Sequence, residues 1–94
     1  MATKTTRWDP AEHLTDKKAI AAYINAALED GDPVVVAAAL GDVARAQGMT
    51  KIARDSGLTR ASLYKALNGD AKPEFATILR VLGALGVKLE AKAA

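Results

Sequence analysis

The sequence predicts an all-α protein, a compact five-helix bundle, and three observations carry that reading. Twenty-one of the 94 residues are alanine, the strongest helix former and a poor strand former. Apolar residues recur at helical spacing over successive stretches. Most of the glycines fall between or at the ends of those stretches, where turns explain them.

Taken in order, residues 1–7 are polar and aperiodic and are expected to form a disordered leader. Residues 8–94 then form a single domain, since a chain this short has no room for a second core. Trp8 and Leu14 need a surface to cover them, either the protein's own first helix or a partner. His13 reads as a solvated side chain. Thr15 and Asp16 offer caps for a first helix running to about Asp30, with Ile20, Ile24, Ala27 and Leu28 on one stripe and Tyr23 alongside. Glu29 and Asp30 end that helix with charges that oppose its dipole. They mark either a solvated end or a role outside the helix.

Asp32 and Pro33 restart the chain as N-cap and first helical residue. The second helix reaches about Gln47, with Val36, Leu40, Val43 and Ala44 buried and Val34 and Val35 extending the apolar surface at its start. Gly48 ends it. Beyond Asn68-Gly69-Asp70, Pro73 opens a last helix on which Phe75, Ile78, Leu79, Leu82 and Leu85 complete the core, and Gly86 stops it. Residues 87–92 alternate apolar and polar, predicting a short C-terminal strand or an extended tail. A lone strand cannot satisfy its backbone, so it pairs with a second copy or a partner's sheet edge, or does not form.

The stretch 48–69 organises the rest. It reads as two short helices about a tight turn, the form of a DNA-reading helix-turn-helix. Gly57 supplies the left-handed residue and Thr59 the N-cap of the second helix. Ile52, Ala53, Leu58, Leu63, Ala66 and Leu67 form an apolar seam, which leaves Arg60, Ala61, Ser62, Tyr64 and Lys65 outside. The plainer alternative is an αα-corner with solvated charges.

Charge is distributed unevenly. Residues 8–48 hold seven acids against three bases, and residues 49–72 hold five bases against two acids. The basic share lies where phosphates would be met. With no cysteine, neither a disulfide nor a thiolate metal site can form. One histidine, no phosphate-cradling glycine loop and no metal spacing argue against an enzyme, and no cofactor is expected. Asp9, Glu12 and Asp16 fit an exposed face as well as a carboxylate cluster. No apolar run approaches the roughly 20 residues of a membrane span, and residues 1–8 lack a signal-peptide core. A cytoplasmic protein without membrane contact is expected, and its small core favours a homodimer.

The 48–69 stretch resembles the helix-turn-helix of the phage-repressor (Cro/repressor, XRE-like) group. The resemblance implies that Thr59, Arg60, Ala61, Ser62 and Lys65, with Tyr64 beside them, face the major groove of operator DNA. Thr50 and Lys51 then contact its backbone. From Trp8 to Leu89 the chain is similar to the antidote (antitoxin) proteins of addiction modules, the HigA-like group encoded beside a RelE/ParE-type toxin. The segment Glu29-Asp30-Gly31-Asp32-Pro33 through Arg45 carries that likeness more than the generic C-terminal half. It implies a type II antitoxin that binds its toxin directly, dimerises, and represses its own operon. On that reading Trp8, Asp9, Glu12 and Leu14, with Glu29 and Asp30, contact the toxin, and the 87–92 tail is a rival site. A free-standing transcriptional regulator without a toxin, and an adaptor that has lost DNA, are the alternatives. Retention of Lys51, Arg60, Ser62 and Lys65 argues against the adaptor.

Overall fold

The computed structural model describes residues 16–68 and 72–94. Trp8, Asp9, Glu12 and Leu14 lie outside the described residues, as do the leader and Thr15. Among the described residues the fold is all-α, with five helices and no strand: α1 (Lys17–Asp30), α2 (Pro33–Gln47), α3 (Met49–Ser56), α4 (Arg60–Ala66) and α5 (Phe75–Leu85).

The helix boundaries follow local chemistry. The carboxylate of Asp16 caps α1 by accepting the Ala19 N–H at 3.2 Å, and that of Asp32 caps α2 by accepting the Val34 N–H at 2.9 Å. Pro33 stands at the first position of α2, where its missing N–H leaves no bond unmade. The connection between α1 and α2 is two residues, so the pair packs as a helical hairpin. The last helix begins at Phe75 with Glu74, in extended conformation, as its cap residue. Pro73 therefore precedes the helix rather than opening it.

Every helix contributes to one core. Ile20 and Ile24 of α1, Leu40 and Val43 of α2, Ile52 of α3, Leu63 of α4 and Val81, Leu82 and Leu85 of α5 are buried together. Burying one such side chain is worth about 1.5–3 kcal/mol. Small residues set the closest approach: Ala37, Ala39, Gly41 and Ala44 of α2 are all buried. At Gly41 an added Cβ would stand 3.1 Å from the Leu67 carbonyl oxygen, so the end of α4 rests directly on the α2 backbone.

Three expected core residues are on the surface instead. Leu28, Phe75 and Leu79 are exposed, Phe75 by 65%. The buried stripe of α5 is Ile78, Val81, Leu82 and Leu85, with Ile78 half-buried. Leu79 points about 100° away from Ile78 around the helix, off that stripe. Phe75 sits in the first turn and Leu28 in the last turn of α1, both at the same end of the molecule. Ala66 and Val36 are half-buried rather than fully enclosed. Residues 87–94 form no strand; only Val87 is half-buried, and its N–H closes the end of α5 by reaching the Leu82 carbonyl at 3.0 Å.

Candidate nucleic-acid interface

The candidate surface is built by α3, α4 and the turn between them. Gly57 adopts φ +77°, the left-handed region where a Cβ is penalised. Its N–H reaches the Arg54 carbonyl at 3.3 Å, and the Leu58 N–H reaches the Ala53 carbonyl at 2.9 Å. These two bonds form the glycine-terminated helix end that satisfies the last carbonyls. Leu58, half-buried against the core, fixes the exit of the chain. Buried Ser56 donates its hydroxyl to the Ala53 carbonyl at 3.2 Å, so the turn leaves no polar atom stranded.

Thr59 starts α4. Its hydroxyl oxygen accepts the Ser62 N–H at 3.0 Å and donates to the Ser62 Oγ at 2.9 Å. The cap therefore engages Thr59 in holding the helix, while Ser62 keeps its own hydroxyl proton to donate outward. Leu63 and Leu67 are buried beneath, and Arg60, Ala61, Ser62, Tyr64 and Lys65 are exposed. The two faces of α4 divide as the apolar spacing required.

Arg60, Lys51 and Arg54 on this surface are paired locally. The Arg60 guanidinium donates to the Tyr64 hydroxyl at 3.2 Å and lies 5.6 Å from the ring centroid, one turn along the helix. Lys51 and Arg54 both reach the Asp55 carboxylate, at 3.2 and 3.3 Å. These hydrogen bonds, Lys51 first and Arg54 second, hold the Asp55 carboxyl below the usual carboxylate range. Thr50 and Lys51 stand exposed at the start of α3. Arg54 is 70% exposed and belongs to the same cationic patch, although it is not among the residues that the repressor resemblance assigns to DNA. Its place in the last turn of α3 and its spacing from Lys51 were the available signals.

α1 and α2 are tied to each other by a polar link. The Tyr23 hydroxyl donates to Asp42 Oδ2 at 2.6 Å, and Arg45 Nη2 donates to Asp42 Oδ1 at 2.5 Å. The hydrogen bond to Asp42, with burial and the carboxylate's charge adding to it, pushes the Tyr23 phenol up to about 12. Glu29 and Asp30 are exposed at the end of α1. No described helix is long and apolar enough to cross a membrane.

The fold and this surface define a small all-α protein that presents a basic, capped helix on a well-buried seam. The chain belongs to the family described as "probable addiction module antidote protein", whose pattern it matches over residues 4–93. It is 42% identical over 90 residues to a protein of Haemophilus influenzae described as uncharacterized, a match spanning 96% of this chain and 93% of that one. No solved structure matches. An antidote acts against a toxin, so the family places a toxin among the partners.

Proposed function

We propose that the chain is a type II antitoxin that neutralises a RelE/ParE-type toxin by direct binding and, as a homodimer, represses its own operon at a palindromic operator. One observation carries the DNA half: α4 is anchored by buried Leu63 and Leu67 while Arg60, Ser62, Tyr64 and Lys65 are all outward. A helix-turn-helix inserts its second helix by the N-terminal end, and Arg60 is the first residue of α4. The Arg60–Tyr64 contact does not oppose this. A surface cation–π contact is worth about 0.5–1 kcal/mol, whereas a fork to guanine O6 and N7 discriminates by about 1–3 kcal/mol.

In this reading Arg60 and Ser62 touch bases, and Lys65, Lys51, Thr50 and Arg54 touch phosphates. Thr59 and Ala61 shape the entry of the helix, Thr59 by capping and Ala61 by leaving the groove edge unobstructed. Asp55 holds Lys51 and Arg54 near one another in the free protein; phosphates compete for the same cations. The acidic excess over residues 8–48 suits a basic, RNA-acting toxin, since complementary fields speed association and select the partner.

The test uses the DNA upstream of the gene and the protein encoded beside it. Arg60→Ala is expected to cost about 1–3 kcal/mol of operator affinity and to relax one base position. Lys65→Ala is expected to weaken binding evenly across sequences and flatten the salt dependence. Unchanged operator affinity in both variants would return α3–α4 to the role of an ordinary helical corner. Failure of the neighbouring protein to bind would favour a free-standing regulator.

A further inference from the structure

One end of the molecule carries an apolar cleft that the DNA surface does not use. It has a volume of about 790 Å³ and lies between the end of α1, the start of α2, the start of α5 and Leu89 of the tail. Its rim holds Leu28, Val34, Phe75 and Leu89. These are four of the seven large apolar side chains left exposed among the described residues. Such clustering marks a binding surface, because scattered exposed apolar residues need no explanation but a contiguous group does. No residue from 48 to 68 lines it.

We propose that this cleft is the toxin-docking surface, and that it receives an amphipathic segment whose large apolar side chains fill it and whose Lys or Arg residues meet Glu29 and Asp30. The proposal rests on the toxin-binding half of the function above and names its site.

The charge at the lip selects the occupant. Glu29 and Asp30 follow Leu28 directly and precede Gly31, both of them cleft residues. Among the described residues neither acid enters an ion pair, although at a helix C-terminus they cost stability. A basic partner would relieve that cost. Asp32 adds a third acid, and Lys72 is the single cation of the lining. A second copy meeting the cleft about a two-fold axis would bring acidic lip against acidic lip. Residues 1–15 carry Lys4 and Arg7 against Asp9 and Glu12, so they offer no excess of positive charge. Because the cleft and the α3–α4 surface share no residue, toxin and operator can be held at once.

Two variants test this with the neighbouring gene's protein as probe, each also assayed on operator DNA. Phe75→Glu places a carboxylate at the first position of α5, which the helix dipole favours, so folding is retained. It is expected to weaken toxin binding by about 30-fold or more, chiefly through faster release. Glu29→Lys combined with Asp30→Lys is expected to slow association at low salt, with the difference shrinking as salt rises. Operator affinity stays that of the wild type in Phe75→Glu, and in the double variant, four charges more positive, any gain in DNA binding is expected to vanish as salt rises. Toxin affinity of Phe75→Glu within about threefold of wild type would overturn the proposal while leaving toxin neutralisation intact. So would two other results at unchanged toxin affinity: loss of the dimer, which assigns the cleft to a second copy, or a shift of Trp8 emission in the free protein, which assigns it to residues 1–15. A wild-type chain that does not bind the neighbouring protein would overturn the antidote–toxin pairing itself, and the cleft assignment with it.

Discussion

The two ends of this small protein solve the problem of an exposed surface in opposite ways. On α3–α4 most of the outward polar side chains are locally partnered: Thr59 with Ser62, Arg60 with Tyr64, Lys51 and Arg54 with Asp55. At the α1–α2–α5 end large apolar side chains are left uncovered inside a charged lip, with Phe75 the most exposed of them. Weak polar pairs of the first kind hold side chains near their working positions and are readily exchanged for a charged ligand, because each is worth well under a phosphate or base contact. Uncovered apolar area of the second kind gains only when something excludes water from it. One surface therefore suits a polyanion and the other a protein.

The sharpest way to break this contrast is to remove apolar bulk on each side. Leu63 is fully buried under α4. Leu63→Ala is expected to cost about 2–5 kcal/mol, read as a lowered denaturant midpoint, and to abolish operator binding along with the fold of α4. Phe75→Ala removes a larger side chain yet is expected to change stability by less than about 0.5 kcal/mol, as surface changes do. A large loss of stability from Phe75→Ala would mean that the cleft is closed in the free protein, and the two ends would then no longer differ in kind.

A smaller effect is expected at the turn. Gly57→Ala forces a Cβ into a left-handed φ of +77°, at a cost of about 1–2 kcal/mol. Nothing lies within 4 Å of that added Cβ, so the penalty is conformational rather than steric. It should appear as reduced stability, with operator affinity reduced in the same variant if the turn sets the angle of α4. Toxin affinity should not move. A toxin defect in Gly57→Ala would show that the two surfaces are coupled through the bundle.

Much of the α3–α4 end was legible before any coordinates, because its determinants are local. A capping hydroxyl, a left-handed glycine and leucines four apart all act within one or two turns of helix, and Thr59, Gly57, Leu63 and Leu67 sit where their types require. Even the Arg60–Tyr64 contact could have been read from its spacing of four. The other end depended on distant relations. Periodicity placed Phe75 and Leu79 with Ile78 and Leu82, but it says nothing about where the neighbouring helices stop, and at Phe75 they have stopped. Gly41 carries no local sign that the end of α4 would rest against it. The alternation over 87–92 is a genuine strand pattern without a strand beside it among the described residues. Glu29 and Asp30 stand in conflict with the helix dipole, a signal open to a solvated end or an outside role, and the cleft beside them was not foreseeable.

A further small effect concerns the polar link between α1 and α2, which lies outside the cleft lining. Tyr23 and Asp42 are 19 residues apart in sequence and join α1 to α2 through a single 2.6 Å bond. Tyr23→Phe removes the hydroxyl and is expected to cost about 1 kcal/mol, near the mean for a hydrogen bond, since the site is only part-buried. The pH dependence has a definite sign. The phenol is neutral and donating below its pKa, and folding raises that pKa from 10.0 to about 12. The bond's contribution is therefore complete below pH 10 and is lost as pH rises through about 12. Subtracting the phenolate absorbance titration of Tyr23→Phe from that of the wild type isolates this group and should show it ionising near the upper value. A titration at the ordinary tyrosine value would mean that the bond is not held in solution, leaving buried Ile20, Ile24 and Ala27 to fix α1 against α2. Neither Tyr23 nor Asp42 lines the cleft, so Tyr23→Phe is expected to leave toxin affinity within about threefold of the wild type, and a larger loss would show that the α1–α2 link reaches the cleft through the bundle.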